Sequence, residues 1–386
     1  MKRRVVILTE IISPYRIPVF NALAETAAVD SHVIFLAETD ATLWQWKVYK
    51  DDIRFSFEIL PHWRRRVRGY NVLLNRGVAA ALEKAKPDVV VCGGYSYLAM
   101  WQALRWARKR GVPVLLWSES TRQDQRRGRA VVEGLKKYFQ RACSGFVVPG
   151  TAAAEYLRTF GIPDGVIFTA PNAVDNEWFA ATSAAAQEQG PALRAKFGLP
   201  ERYYLFVGRL VADKGVGVLL RAYAQLETGI RERVGLVLAG HGPGRAEYEA
   251  LAASIHPGKI VFAGFLHREE LAAHFALAEC LVFPTFSDTW GLVINEAMAC
   301  GLPVIVSNVA GAAAELVRDG WNGRVVPARE LDGLVSAMRQ LAQDTVARQT
   351  MGRHSVEHIK NYTARTWADG FARAVNESKL GRRMGW

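Results

Sequence analysis

Short β-branched runs alternate with longer helical stretches along all 386 residues, and this alternation leaves few folds open to the chain. In the first half VVILT (Val5–Thr9), HVIFLA, IRFSFEIL, DVVVC (Asp88–Cys92), VPVLLW (Val112–Trp117) and GFVVP read as strands. Helices are predicted between them over Arg16–Ala28, Asn71–Lys86, Ser96–Arg110, Arg127–Arg141 and Ala152–Phe160. The second half repeats the pattern with YYLFVG, GLVLAG, IVFAG, LVFP, PVIVS and GRVVP. Runs that are apolar on both faces belong in sheets covered on both sides, the condition of a doubly wound parallel sheet. A chain of this length also exceeds one ordinary core. The expectation is an α/β protein of two domains, 1–180 and 190–362, joined where the chain turns small and polar near Ala180–Pro191.

The segment Phe283–Ser307, FPTFSDTWGLVINEAMACGLPVIVS, carries the most chemistry. It reads as strand, polar loop, helix and strand, with Asp288 and Glu296 directed at one crevice. A helix starting at Gly291 would leave the N–H groups of Gly291, Leu292 and Val293 free, which is a ready anion site. A carboxylate on each side of it suits a phosphate-linked sugar, whose hydroxyls carboxylates accept. Gly208–Arg209 and Lys214–Gly215 frame another strand-to-helix loop. Gly208 leaves room for backbone approach, Arg209 offers a fork for two oxygens, and Lys214 offers a point charge. Glu119, after the apolar run VLLW, is either a strand-end capping group or a carboxylate that orients an acceptor. Gly93–Gly94 either admits close backbone approach or makes a turn.

Asp288 to Glu296 resembles the E-x7-E signature of the family 4 retaining glycosyltransferases, with Asp in the first position. WGLVINEAMACGLPVIVS is similar to that family's donor-site helix. FVGRLVADKG (Phe206–Gly215), LAGHGP (Leu238–Pro243), FAGFL (Phe262–Leu266) and PNAVD (Pro171–Asp175) follow the family pattern. The resemblance implies the GT-B architecture, two Rossmann-like domains facing a central cleft. It also implies a last helix, about 363–378, that crosses back to the first domain. It assigns Arg209 and Lys214 to the departing diphosphate, Glu296 to the ribose, and Asp288 to the donor sugar. Asp reaches less far than Glu by about 1.5 Å, one C–C bond. Gly208, His241 and Leu266 fall at strand ends beside the expected donor, and His241 reads equally well as a solvated loop residue. The first half is less like the family: its first loop, TEIISPYRIP, has no glycine, and CGGYS stands where a catalytic His is expected. Arg16, Tyr95 and Glu119 are the acceptor-side candidates.

The activity implied is transfer of a hexose from a nucleoside-diphosphate sugar, UDP favoured over GDP, to a hydroxyl acceptor. Front-face attack would keep the anomeric configuration. No cofactor is called for, and neither a DxD sequence nor a His/Cys cluster suggests a metal. Two other readings use the same shape: a nucleotide-sugar epimerase, and a non-catalytic nucleotide-sugar-binding protein. A nicotinamide dehydrogenase is disfavoured because no G-x-G-x-x-G follows the first strand.

Net charge is +12, and residues 1–175 hold 26 Lys and Arg against 16 Asp and Glu. Arg64–Arg68, Arg105–Arg110 and Arg122–Lys137 concentrate the excess, interleaved with Trp63, Tyr70, Trp101, Trp106, Tyr138 and Phe139. A solubilising face, an anionic membrane surface or an acidic acceptor would each account for this. With no RNP, zinc-finger or helix-turn-helix signature, nucleic acid ranks last. Four scattered cysteines read as reduced core thiols, MKRRVVILTE reads as a first strand, and no window nears a membrane span. The expectation is a cytoplasmic enzyme, peripheral on the inner face of the plasma membrane, with a lipid-linked or saccharide acceptor in surface-polysaccharide or glycolipid assembly.

Overall fold

The computed structural model describes residues 2–40, 47–67, 70–124 and 130–379. Contacts divide the chain into two units, Met1–Asn172 with Ala364–Trp386, and Ala173–Thr363. The first unit holds β1 (Arg3–Thr9), β2 (Val29–Phe35), β3 (Ser56–Ile59), β4 (His62–Val67), β5 (Tyr70–Asn75), β6 (Val89–Cys92), β7 (Val114–Trp117), β8 (Gly145–Val148) and β9 (Ile167–Thr169). The second holds β10 (Tyr203–Val207), β11 (Gly235–Ala239), β12 (Ile260–Gly264), β13 (Cys280–Phe283), β14 (Val304–Ser307) and β15 (Gly323–Val326).

Two parallel sheets form, β3-β2-β1-β6-β7-β8-β9 and β12-β11-β10-β13-β14-β15. Their central strands explain the continuous apolar runs. Val5–Leu8 and Val89–Cys92 are fully buried, as strands sandwiched between helix layers must be. Strand order reverses between β1 and β6 in one sheet and between β10 and β13 in the other. Ligands of such sheets sit outside the carboxyl ends of the strands at these reversals.

Two expectations need correction. Asn71–Asn75 is strand, not helix: β4 and β5 pair antiparallel, with Trp63 opposite Leu74 and Arg65 opposite Val72. Leu73 turns into the core, and Asn75 Nδ2 donates to Leu36 O at 2.6 Å. The helix begins only at Val78, after Gly77, and ends at Ala85. The supposed linker is also helical, over Asn176–Glu188, with Asp175 capping it by accepting from Trp178 N at 3.0 Å. Its small residues let it lie close to the Arg268–Leu277 and Leu292–Ala299 helices. Alanine-rich composition is helix-forming, and the Gly and Pro fall at the start of the next helix, Gly190–Phe197.

The chain crosses between the units at Asn172–Ala173 and again at Thr363–Ala364. Asn176 Nδ2 donates to both Ile359 O and Tyr362 O, at 3.1 and 3.0 Å, pinning the two crossing segments together within the second unit. The helix Ala364–Glu377 belongs to the first unit and buries Trp367 and Phe371. The Trp367 ring lies 5.8 Å from Phe20 and 5.5 Å from Trp117. All four cysteines are free and buried, and burial pushes the Cys92 and Cys300 thiols up to about 12.

Candidate functional site

In the second unit the loops after β10 and β13 are stitched together where strand order reverses. Gly215 sits at φ +71°, and a Cβ there would stand 2.1 Å from Pro284 O. Only glycine permits that approach. Asp213 O then accepts from Phe286 N at 2.7 Å and from Thr285 Oγ1 at 3.0 Å. Lys214 Nζ donates to Ser287 O at 3.0 Å and pairs with Asp288 Oδ2 at 2.6 Å. Asp288 Oδ1 accepts from Trp290 N at 3.1 Å. The sequence reading gave Lys214 and Asp288 separate duties, whereas the structure joins them as an ion pair. An ammonium has three donors, so one N–H of Lys214 is left over.

Gly291 takes the left-handed conformation (φ +93°) that turns the loop into the helix Leu292–Ala299. Among the described residues the N–H groups of Gly291, Leu292 and Val293 make no hydrogen bond. Trp290 and Asn295, both buried, brace this entry through Nε1–H to Oδ1 at 2.9 Å, and Gly311 N donates to Asp288 O at 3.0 Å. Neither Trp290, Asn295 nor Thr285 was singled out from sequence. Their role arises from contacts between loops, and only the short spacing of Trp290 and Asn295 hinted at it. Glu296 lies half-buried on the same helix, and no side-chain partner reaches its carboxylate among the described residues. Burial pushes its pKa up to about 7.

Gly208 N donates to Ala239 O, and Leu210 N donates to His241 O, each at 3.0 Å. The loops after β10 and β11 are thereby neighbours. Arg209 and His241 are exposed and have no side-chain partner among the described residues. Leu266 follows β12, two strands from β10 and so about 10 Å along the sheet. It is half-buried against the core.

In the first unit, Arg16 and Glu119 meet. Arg16 Nη2 pairs with Glu119 Oε1, while Nη1 donates to Asn172 Oδ1 at 2.8 Å and Asn172 Nδ2 donates to Glu119 Oε1 at 3.1 Å. The Arg16 guanidinium stacks 4.3 Å over the Trp117 ring. Tyr95 stands apart: its ring packs 6.2 Å from Phe139, and its carbonyl accepts from Trp101 Nε1 at 2.8 Å. A second group, missed from sequence, lies at the ends of β1, β2 and β6. Arg64 pairs with Glu10 at 3.2 Å and with the buried Asp40, and Tyr97 is within electrostatic reach of Glu10. Tyr15 is within electrostatic reach of Arg16, Glu119 and Glu10, so the two groups adjoin. Arg64 is therefore an internal ion-pair partner rather than part of a free basic face, whereas Arg65 and Arg66 are exposed. Arg68, Arg126, Arg127 and Arg129 lie outside the described residues.

Residues 22–178 match the family model Glycosyltransferase Family 4, and residues 201–344 match Glycosyl transferases group 1. The chain is 28% identical over 230 residues to O-antigen chain mannosyltransferase B of Escherichia coli, covering 59% of this chain and 58% of that protein. It is 33% identical over 222 residues to D-inositol 3-phosphate glycosyltransferase of Corynebacterium diphtheriae, covering 53% and 48%. The chain spans from 30% to 58% of the length of the curated relatives it matches. In structure it is similar to sucrose-phosphate synthase from Thermosynechococcus elongatus, with a TM-score of 0.73 at 21% identity over 97% of this chain and 99% of that one. It is likewise similar to Anabaena HepE in complex with UDP and glucose, with a TM-score of 0.74 at 17% identity over 97% and 100%. Its fold is GT-B. The chain belongs to the family 4 glycosyltransferases.

Proposed function

We propose that the protein is a retaining glycosyltransferase moving a hexose from a nucleoside-diphosphate sugar to a hydroxyl acceptor. The observation that carries this is the group around the β10–β13 reversal, which among the described residues holds a helix entry with three free N–H groups, a braced lysine with one donor to spare, an unpaired arginine, and an unpartnered carboxylate. The donor diphosphate takes the N–H groups of Gly291, Leu292 and Val293, where the helix dipole favours negative charge. Arg209 and the third N–H of Lys214 meet the departing phosphate, stabilising charge as it develops, so the chemistry is metal-independent. Glu296 accepts from the vicinal ribose hydroxyls. Asp288 keeps lone pairs for a donor-sugar hydroxyl while holding Lys214 in place.

Retention follows from front-face attack. The acceptor oxygen bonds to the anomeric carbon as the bond from that carbon to the phosphate oxygen breaks, and the acceptor proton passes to the departing phosphate oxygen. Arg16 and Glu119, with Glu10 and Tyr15 beside them, are the acceptor-side groups. A UDP-hexose is the favoured donor, supported by the UDP and glucose bound to HepE, with a GDP-hexose second. The O-antigen relative supports a place in surface-polysaccharide assembly; a glycolipid product, a lipid-linked or saccharide acceptor and a place at the inner face of the plasma membrane belong to the same proposal. Thermal unfolding with UDP- and GDP-hexoses tests the reading. Donor at 100 times its dissociation constant adds about 2.7 kcal/mol of stability. Slow hydrolysis should release the hexose with the donor's anomeric configuration, read by NMR. No stabilisation by any nucleotide sugar overturns the reading.

A further inference from the structure

The helices Leu98–Arg110 and Ala130–Arg141 lie side by side in the first unit. Trp101 stacks on Tyr138 with ring centroids 6.2 Å apart and planes 9° from parallel, and Arg108 Nη1 donates to the Tyr138 hydroxyl at 3.1 Å. Between them runs a groove of about 510 Å³ lined by Trp101, Leu104, Arg105, Arg108, Lys109 and Tyr138. Its floor is apolar and aromatic, and its rim is cationic. Leu98, Trp101, Arg105, Arg108 and Lys109 fall on one stripe of the first helix by their three- and four-residue spacing. Leu98, Leu135 and Tyr138 are more than half exposed, at 53%, 52% and 56%.

Scattered exposed apolar residues need no explanation, but here they share a face with cations that lack partners. Arg105, Lys109 and Arg141 have no acidic partner among the described residues, and Glu133 is the one acidic residue in the two helices. Basic residues above a belt of Trp, Tyr and Leu match the layering of an anionic bilayer, phosphate outside and hydrocarbon inside.

We infer that this two-helix face docks the protein on a bilayer containing anionic phospholipid, with the groove receiving a headgroup and the adjoining acyl chain. The Leu98 end follows Tyr97, which is within electrostatic reach of Glu10, so the face runs up to the polar groups at the carboxyl end of the first sheet. The purpose of docking, presenting a membrane-borne acceptor to Arg16 and Glu119, rests on the transferase reading. The docking itself does not.

Co-sedimentation of the full chain with vesicles of phosphatidylcholine, alone or mixed with phosphatidylglycerol, tests this. The protein should pellet with the anionic vesicles at low salt and be released as salt rises, since charge is screened over about 8 Å at physiological ionic strength. Each cation near such a surface contributes roughly fivefold in partitioning, so Arg105→Glu with Lys109→Glu should weaken binding at least roughly 25-fold. Leu98→Glu with Leu135→Glu should weaken it through the apolar contact. Arg65→Glu with Arg66→Glu, on the exposed hairpin, should leave it in place. Equal pelleting with neutral vesicles, no pelleting with anionic ones, or loss only in the hairpin variant overturns the inference. Stabilisation by a UDP-hexose, measured on the same proteins, separates the two ideas. Failure of the wild-type chain to pellet with anionic vesicles, with donor stabilisation intact, condemns the docking alone, and pelleting without donor stabilisation condemns the transferase reading alone.

Discussion

Glu296 shows how a single carboxyl can be set up by burial. Its folded-state pKa of about 7 stands above its ordinary 4.5. Between those values the folded chain holds a proton that the unfolded chain has released. Stability therefore falls as pH rises from about 4.5 and levels off above about 7. Glu296→Gln removes this dependence. Urea denaturation should find the variant more stable than the wild type by about 1–2 kcal/mol at pH 8, a shift reduced for partial exposure, and equal to it near pH 4.5. Ribose hydroxyls would need the ionised form, so wild-type affinity for a nucleoside diphosphate should rise between pH 6 and 8 by calorimetry. A flat profile would remove Glu296 from the ribose. Arg209→Ala and Lys214→Ala address the departing phosphate. Each should lower kcat by roughly 100-fold or more while changing donor affinity less, because the charge they meet grows in the transition state. A pure rise in KM would show that they only hold the substrate.

At the scale of elements, the loops after β10 and β13 behave as one piece. Gly215→Ala places a methyl against Pro284 O in a conformation alanine resists, which should cost at least about 2 kcal/mol and loosen Lys214 and Asp288 together. Denaturant unfolding gives the cost. Donor affinity should fall with it, and a variant with wild-type stability and affinity would show that the close approach is dispensable. Elements were legible where one rule dominated. The buried central strands carry unbroken apolar runs, and these announced a doubly wound sheet. The hairpin was not legible, because NVLL suits a helix start as well as a strand, and its pairing with residues 62–67 decided the matter. The segment 180–191 failed for the opposite reason. Small, polar composition resembles a linker until a helix finds close neighbours to pack on.

For the molecule as a whole, the cations assigned to the departing phosphate predict that transfer persists in excess chelator. Strict dependence on added Mg²⁺ or Mn²⁺ would count against Arg209 and Lys214 as the stabilising charges. Charge at this scale was only partly legible. The excess in residues 1–175 is a property of composition, but whether a given arginine is free is a property of packing. Arg64 turns inward to Glu10 and Asp40, Arg110 pairs with Glu83, and Arg105 and Lys109 stay open beside Trp101. By itself the sequence determined the buried central strands and most of the helices between them, the glycines at the strand ends, and the motifs that mark the donor loops. Local preference and short-range spacing settle those features. Only the tertiary structure decided that Lys214 and Asp288 form a pair, that Arg16 and Glu119 meet over Asn172 while Tyr95 does not, and that two basic helices share one aromatic groove. Those contacts join residues as many as 156 positions apart, and no local preference encodes which distant side chain will neutralise a given charge.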